Sequence, residues 1–162
     1  MILKIVILLV FILIFAIYQF YFKDFFRVRK IYKSLNKFLS VRDSLVLKLI
    51  SEVKDKKMAA KVVNLIDERK ENFKTSYNNS ILADVKLNCE LKEFYKVLNN
   101  MKKNVVVNDV FSKVINLEKD LKKIRNEYNR AVEKYNNNLV KHKFACLRVI
   151  KMKPLDTYGV KN

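Results

Sequence analysis

The sequence predicts an all-α protein, an N-terminal transmembrane helix running into an antiparallel four-helix bundle, and three observations predict it. The 162 residues hold one Gly and one Pro, at positions 159 and 154, so hairpin-rich β folds lack the turn residues they need at regular intervals. Residues 5–22 carry no charge. Apolar residues between Val114 and Leu139 recur at alternating threes and fours, the seven-residue period of helices that pack side by side in coiled-coil fashion. The implied organisation is an anchor over 1–24, a helical bundle over 25–146 and a basic C-terminal tail over 147–162.

The elements follow in order. Residues 5–22 read IVILLVFILIFAIYQFYF, and at about 1.5 Å per residue they give roughly 27 Å of helix, close to the thickness of a hydrocarbon core. A bundle helix keeps a polar face, and here only Gln19 is polar. A cleaved signal ends in small residues, whereas Tyr18, Phe20, Tyr21, Phe22, Phe25 and Phe26 are large and resemble an interfacial belt bounded by Lys23. Lys23, Arg27, Arg29, Lys30, Lys33 and Lys37 outweigh Lys4, which places the bulk of a single-pass chain on the cytoplasmic side of a cell membrane. Two Cys without a pairing pattern agree with a reducing compartment.

Past the anchor, Val28, Ile31, Leu35, Phe38 and Leu39 form a stripe that continues the membrane helix into the bundle. A second helix is expected over 43–78, on Leu45, Leu49, Val53, Val62, Ile66, Arg69, Phe73 and Tyr77, with a polar interruption at 54–57. Ser40 and Asp43 have the spacing of a capping box that would open it. A third helix over 80–101 aligns Leu87, Leu91, Phe94, Leu98 and Met101 on one face. The last, over 108–142, starts at Asn108 and Asp109 and carries Val114, Leu117, Leu121, Ile124, Tyr128, Ala131, Tyr135 and Leu139. Connections at 77–80 and 102–108 are short, so neighbouring helices run antiparallel.

Composition narrows the chemistry. A lone Gly cannot build a P-loop or a dinucleotide turn, both of which bring several backbone positions close to phosphate. Cys89 and Cys146 lack metal-ligand spacing and read as small buried helix residues, so no metal and no cofactor is expected. His142 sits at the end of the last helix, where a cation complements the helix dipole, and no nucleophile and base stand at a recognisable spacing. The chain after residue 22 holds 33 basic and 16 acidic residues, a charge of +17 that would attract anionic lipid at about 1 kcal/mol per basic residue near the surface. Because 27 of the 34 basic residues are Lys, and 17 residues are Asn, the excess reads as compositional, and nucleic acid is the disfavoured partner.

Two Tyr-Asn pairs stand seven apart, so Tyr128 and Tyr135 share one helix face and Asn129 and Asn136 share another. They read as seam tyrosines with bonded hydroxyls beside asparagines that cap or bond a neighbouring helix, or as a polar recognition groove between helices. Arg125 and Arg69 lie near seam positions and are expected to pair with buried carboxylates such as Glu118 or Asp67.

Residues 118–136 read ExxLxxIRxxYNxAVxxYN, with Leu121, Ile124, Arg125, Tyr128, Asn129, Ala131, Val132, Tyr135 and Asn136 in place, and this resembles the last-helix signature of the LemA family of bacterial membrane proteins. The Arg42 to Val46 run with Leu49, Ile50 and Val53, the Asn108 and Phe111 positions, and the 153–158 tail KPLDTY are similar to other family segments. The chain departs at Leu47 and Lys48, at Lys102 and Lys103, and at His142 and Lys143, where the family pattern has proline-containing turns. The resemblance implies a single-pass membrane protein with an antiparallel four-helix domain, acting by interaction with an unknown protein partner. It implies no reaction and no cofactor.

Overall fold

One helical rod carries the chain from residue 2 to residue 50: α1 (Ile2–Ile17), a π-helical turn (Tyr18–Phe22) and α2 (Lys23–Ile50). The computed structural model describes residues 2–53, 55–100, 105–141 and 153–159. Three more helices follow, α3 (Lys56–Thr75), α4 (Tyr77–Asn100) and α5 (Val105–Lys141), and there is no strand among the described residues. The protein is an all-α helical bundle.

The amino-terminal segment departs from the expected transmembrane helix. No helix among the described residues is long and apolar enough by itself to cross a membrane. The expected transmembrane helix over 5–22 is divided at Ile17, and the 16 residues of α1 span about 24 Å. The π turn falls where all-round apolarity gives way to the seven-residue seam of α2. There Phe22 and Phe25 pack against the core, with the Phe25 ring 6.0 Å from that of Tyr135.

Two other boundaries also move. The first bundle helix does not stop near residue 40; α2 runs through Ser40 and Asp43 to Ile50, because the buried series Val28, Tyr32, Leu35, Leu39, Arg42, Val46 and Leu49 is one unbroken alternation of threes and fours. Ser44 turns its hydroxyl back to the Ser40 carbonyl inside that helix, so the proposed capping box opens nothing. The break comes instead at 51–55, where Asp55 accepts from the backbone N–H groups of Lys57 (3.0 Å) and Met58 (3.0 Å) and starts α3. Asp55→Ala is expected to cost about 1 kcal/mol, the usual loss for an N-cap, read as a shift in the denaturation midpoint at unchanged slope. Between α3 and α4 the connection is Ser76 alone, extended at φ −154° and ψ 128°, with its hydroxyl accepting from Asn79 N–H at 3.4 Å. Tyr77, Asn78 and Asn79, expected in a loop, form the first turn of α4.

Side-chain pairs set the directions. Asp24 bonds Asn138, the Tyr32 ring lies tilted beside that of Tyr128 and Arg42 reaches Glu118, so α5 runs antiparallel to α2. Lys61 with Glu90 and Glu68 with Lys86 make α3 and α4 antiparallel, and Tyr32 on Phe73 with Asp43 on Arg69 does the same for α2 and α3. The apolar interior is split in two. One cluster joins the amino-terminal half of α2 to the end of α5 through Leu35, Leu39, Tyr128, Val132 and Tyr135; the other joins the end of α2 to α3, α4 and the start of α5 through Val46, Ile66, Leu87, Phe94 and Val114. A layer of charge lies between them.

Candidate functional site

That layer is built from residues whose spacing belongs to apolar seams. Arg42, Asp43, Arg69 and Asp84 are all buried. An ionised group without a partner in such a place would be prohibitively costly, so each must be matched. Arg42 donates from Nη2 to Asp84 Oδ1 (2.8 Å) and from Nη1 to Asn88 Oδ1 (2.7 Å), while Arg69 donates to Asp43 Oδ2 (2.5 Å) and Asn36 Oδ1 (2.9 Å). Arg125 completes the set from α5, with Nη2 at 3.0 Å from both Asp84 Oδ2 and Asn88 Oδ1, and Nη1 at 3.5 Å from Glu118. Three arginines thus face Asp43, Asp84 and Glu118, and every helix of the bundle contributes.

Burial alone would raise the Asp84 carboxyl, but Arg42 and Arg125 outweigh it and hold the group below the ordinary carboxylate value. Arg42 is shifted the opposite way: burial disfavours its cation, and Asp84 and Asp43 more than restore it. Tyr95, which donates to Glu118 at 3.4 Å, is pushed up by burial and then by that carboxylate. Such a layer holds the helices in register.

The two Tyr-Asn pairs do something else. Among the described residues neither Asn bonds a neighbouring helix; both hold the C-terminal tail. Asn136 donates to the Leu155 carbonyl (2.8 Å) and accepts from Leu155 N–H (3.0 Å). Asn129 repeats this on Tyr158, donating to its carbonyl and accepting its N–H (2.6 Å). Each carboxamide supplies one donor and one acceptor to one residue's backbone, as a paired strand would. The spacing matches because seven helical residues rise about 10.5 Å and three residues of extended chain span about 10 Å. A β-strand would turn residues three apart to opposite faces, whereas Leu155 and Tyr158 both pack on the core.

Further contacts seat the segment. The Tyr135 hydroxyl donates to the Lys153 carbonyl (3.2 Å), and Asp156 N–H donates to Asn78 Oδ1 on α4 (3.1 Å). Tyr158, 6% exposed, lies edge-on to Tyr128 and 5.5 Å from it, with the Arg125 guanidinium 5.7 Å from its ring centre. The tail therefore covers one flank of the ionic layer. Gly159 follows at φ 126°, a conformation that side chains resist, and bends the chain there.

The five sequence-derived site residues, Arg125, Tyr128, Asn129, Tyr135 and Asn136, thus fall on one stretch of α5, and all five meet the tail through a ring or its backbone. Tyr128 and Tyr135 are buried, as seam residues should be. Tyr135 bonds through its hydroxyl, but the Tyr128 hydroxyl has no hydrogen-bond partner among the described residues, and its burial drives its pKa well up. Arg125 pairs with Glu118 as expected, whereas Arg69 takes Asp43; Asp67 is exposed and lies beside Lys70. In the sequence Asp43 reads as half of a capping box, Arg42 as part of a family-like run and Asp84 as nothing in particular; the signal of their buried role is a charge standing at a seam position. Cys89 is exposed, not buried, being on the outer face of α4. Cys146, His142 and Met101 lie outside the described residues. No group of three metal-ligating side chains occurs among the described residues. Compared with known proteins, no family model matches the chain and no curated protein matches it.

Proposed function

We propose that this chain is a membrane-anchored, non-enzymatic interaction scaffold of the LemA type, carried in the bacterial inner membrane with its bundle on the cytoplasmic side. The observation that carries the reading is the surface of α1. From Leu3 to Phe15 its side chains are exposed, Leu3 at 72%, Leu8 at 60% and Phe15 at 64%, on every face of a helix that the bundle does not cover. Apolar surface of that extent belongs in lipid. α1 alone is short of a hydrocarbon core of roughly 30 Å; the π turn prolongs the same apolar rod to Phe22, and exposed Tyr18 and Phe26 suit the interface. The chain should stay with the membrane pellet in alkaline carbonate, and residues 23–162 should be released as a highly helical soluble domain. Full release of the intact chain by carbonate would refute the anchor. A reporter fused after Asn162 that works only outside the cytoplasm should be silent, and activity would reverse the orientation.

A second reading, binding of anionic lipid, is favoured by one observation: Arg27, Arg29, Lys30, Lys33 and Lys37 are all exposed on the anchor-proximal part of α2. Retention of residues 23–162 on anionic vesicles near 0.15 M salt, lost when Lys30, Lys33 and Lys37 become Gln, would favour it.

A further inference from the structure

We propose that the cleft between α4 and α5, beyond the end of the tail, is a docking groove for an acidic amphipathic helix of a partner protein. Asn136, Asn129, Lys122 and Ile115 stand seven apart and form one stripe of α5. That stripe faces a gap, because α5 packs along α2 and α4 along α3 while α4 and α5 barely approach each other. The tail fills the part nearer α1, on Asn136, Asn129 and Asn78, and brings Tyr158 up to Arg125. Past Arg125 the cleft is open among the described residues. Two hollows of about 570 and 500 Å³ there share Lys92, Tyr95 and Ile115.

The lining selects the occupant. Along the filled part, two carboxamides supply the donor and acceptor that an extended backbone needs. In the open part the same stripe offers Lys122, which can accept no hydrogen bond, and Ile115, which can make none. An extended segment would leave backbone groups unmatched against that stripe, whereas a helix bonds its own. The floor is apolar: Ile115 is 37% exposed, and Phe111 meets the Tyr95 ring edge-on at 5.8 Å. Such a floor between two helices seats the apolar face of a third. The rim is basic. Lys92, Lys119 and Lys122 are exposed and form no ion pair among the described residues, while the nearby acids Glu93 and Glu118 are held by Lys96 and by Arg125. Three uncompensated ammonium groups beside an apolar floor complement Asp and Glu flanking a partner's apolar stripe.

The inference rests on the anchored scaffold reading, which it deepens by naming the partner's chemistry. Height separates the groove from the lipid surface. Glu118 in its wall contacts Arg42, and the helix from Lys23 to Arg42 rises about 28 Å. That is more than three Debye lengths of about 8 Å at physiological salt, so headgroup charge is screened at the rim.

The test uses the full-length chain in dodecyl maltoside at about 0.15 M salt and a fluorescein-labelled peptide with Leu at i, i+3, i+4 and i+7 and Glu elsewhere, read by anisotropy. Binding should saturate above the level seen with detergent alone. Ile115→Asp, and separately Lys92→Glu with Lys119→Glu and Lys122→Glu, should each weaken it at least tenfold. The same charge reversal at exposed Lys56, Lys57 and Lys74 on α3 should change it less than twofold. Absence of saturable binding overturns the proposal, as does an equal loss in the α3 variant. Polyglutamate or duplex DNA bound as tightly as the peptide also overturns it, since neither has an apolar face to seat on Ile115. If a groove variant loses its helical signal by circular dichroism, the wild type decides: a diazirine on the leucine face of the peptide should label α4 from Asn88 onward or α5 up to Arg125, and labelling confined to other segments overturns it. The assay needs no bilayer, so its failure leaves the carbonate result, and the anchored reading with it, untouched.

Discussion

Asp84→Asn should destabilise the bundle by about 3–5 kcal/mol, the usual consequence of removing one member of a buried ionic set. Asp84 is completely buried and takes Arg42 on one oxygen and Arg125 on the other. The amide keeps the shape and loses the charge, leaving two guanidinium groups short of a counter-ion in a low-dielectric layer. Chemical denaturation of residues 23–162 measures it, and a loss below about 0.5 kcal/mol would show that the layer is hydrated or easily rearranged. The pH dependence has a definite sign. Because the folded carboxyl is held below its unfolded value, the unfolded chain takes up the proton first on acidification. The stability contributed by Asp84 is therefore full above about pH 3.9, the unfolded value, and is lost as pH falls through the lower folded value. The Asn variant should show a shallower acid limb than the parent.

Tyr128→Ala is expected to cost about 3–5 kcal/mol, as aromatic truncation in a packed interior does. The ring is fully buried and meets Tyr32 at 6.0 Å and Tyr158 at 5.5 Å, so its loss opens a cavity between α2, α5 and the tail. Tyr128→Phe should stay within about 1 kcal/mol of the parent, since the hydroxyl has no hydrogen-bond partner among the described residues and a deleted unpaired polar group costs little. A pair of results in which both variants match the parent would place Tyr128 on a recognition face rather than in the core. A large loss in the Phe variant would mean that the hydroxyl is satisfied by something in solution.

How much was legible in the chain depends on the range of the interaction. Helix content was, because Gly and Pro are confined to the last nine residues and the apolar positions keep a helical period over long runs. The buried positions Leu87, Leu91, Phe94 and Leu98 of α4, and Val114, Leu121, Tyr128, Tyr135 and Leu139 of α5, were all read from spacing. The helix break was misplaced because Arg42 interrupts the hydrophobic count of α2, although its side chain is as buried as the leucines around it. A charge at a seam position looks like the edge of an element until its partner is known, and Asp84 is 42 residues away.

By itself, then, the sequence determined an all-helical chain with an apolar amino-terminal rod, the faces its helices bury, and the Tyr-Asn spacing that puts two carboxamides in line on α5. These are properties of a single helix, set by side-chain period and needing no partner. Only the tertiary structure decided that Arg42, Asp43, Arg69, Asp84 and Arg125 neutralise one another in a layer across the bundle, and that Asn129 and Asn136 grip Tyr158 and Leu155. Those contacts join residues from 19 to 42 positions apart, and their geometry exists only after the helices have packed.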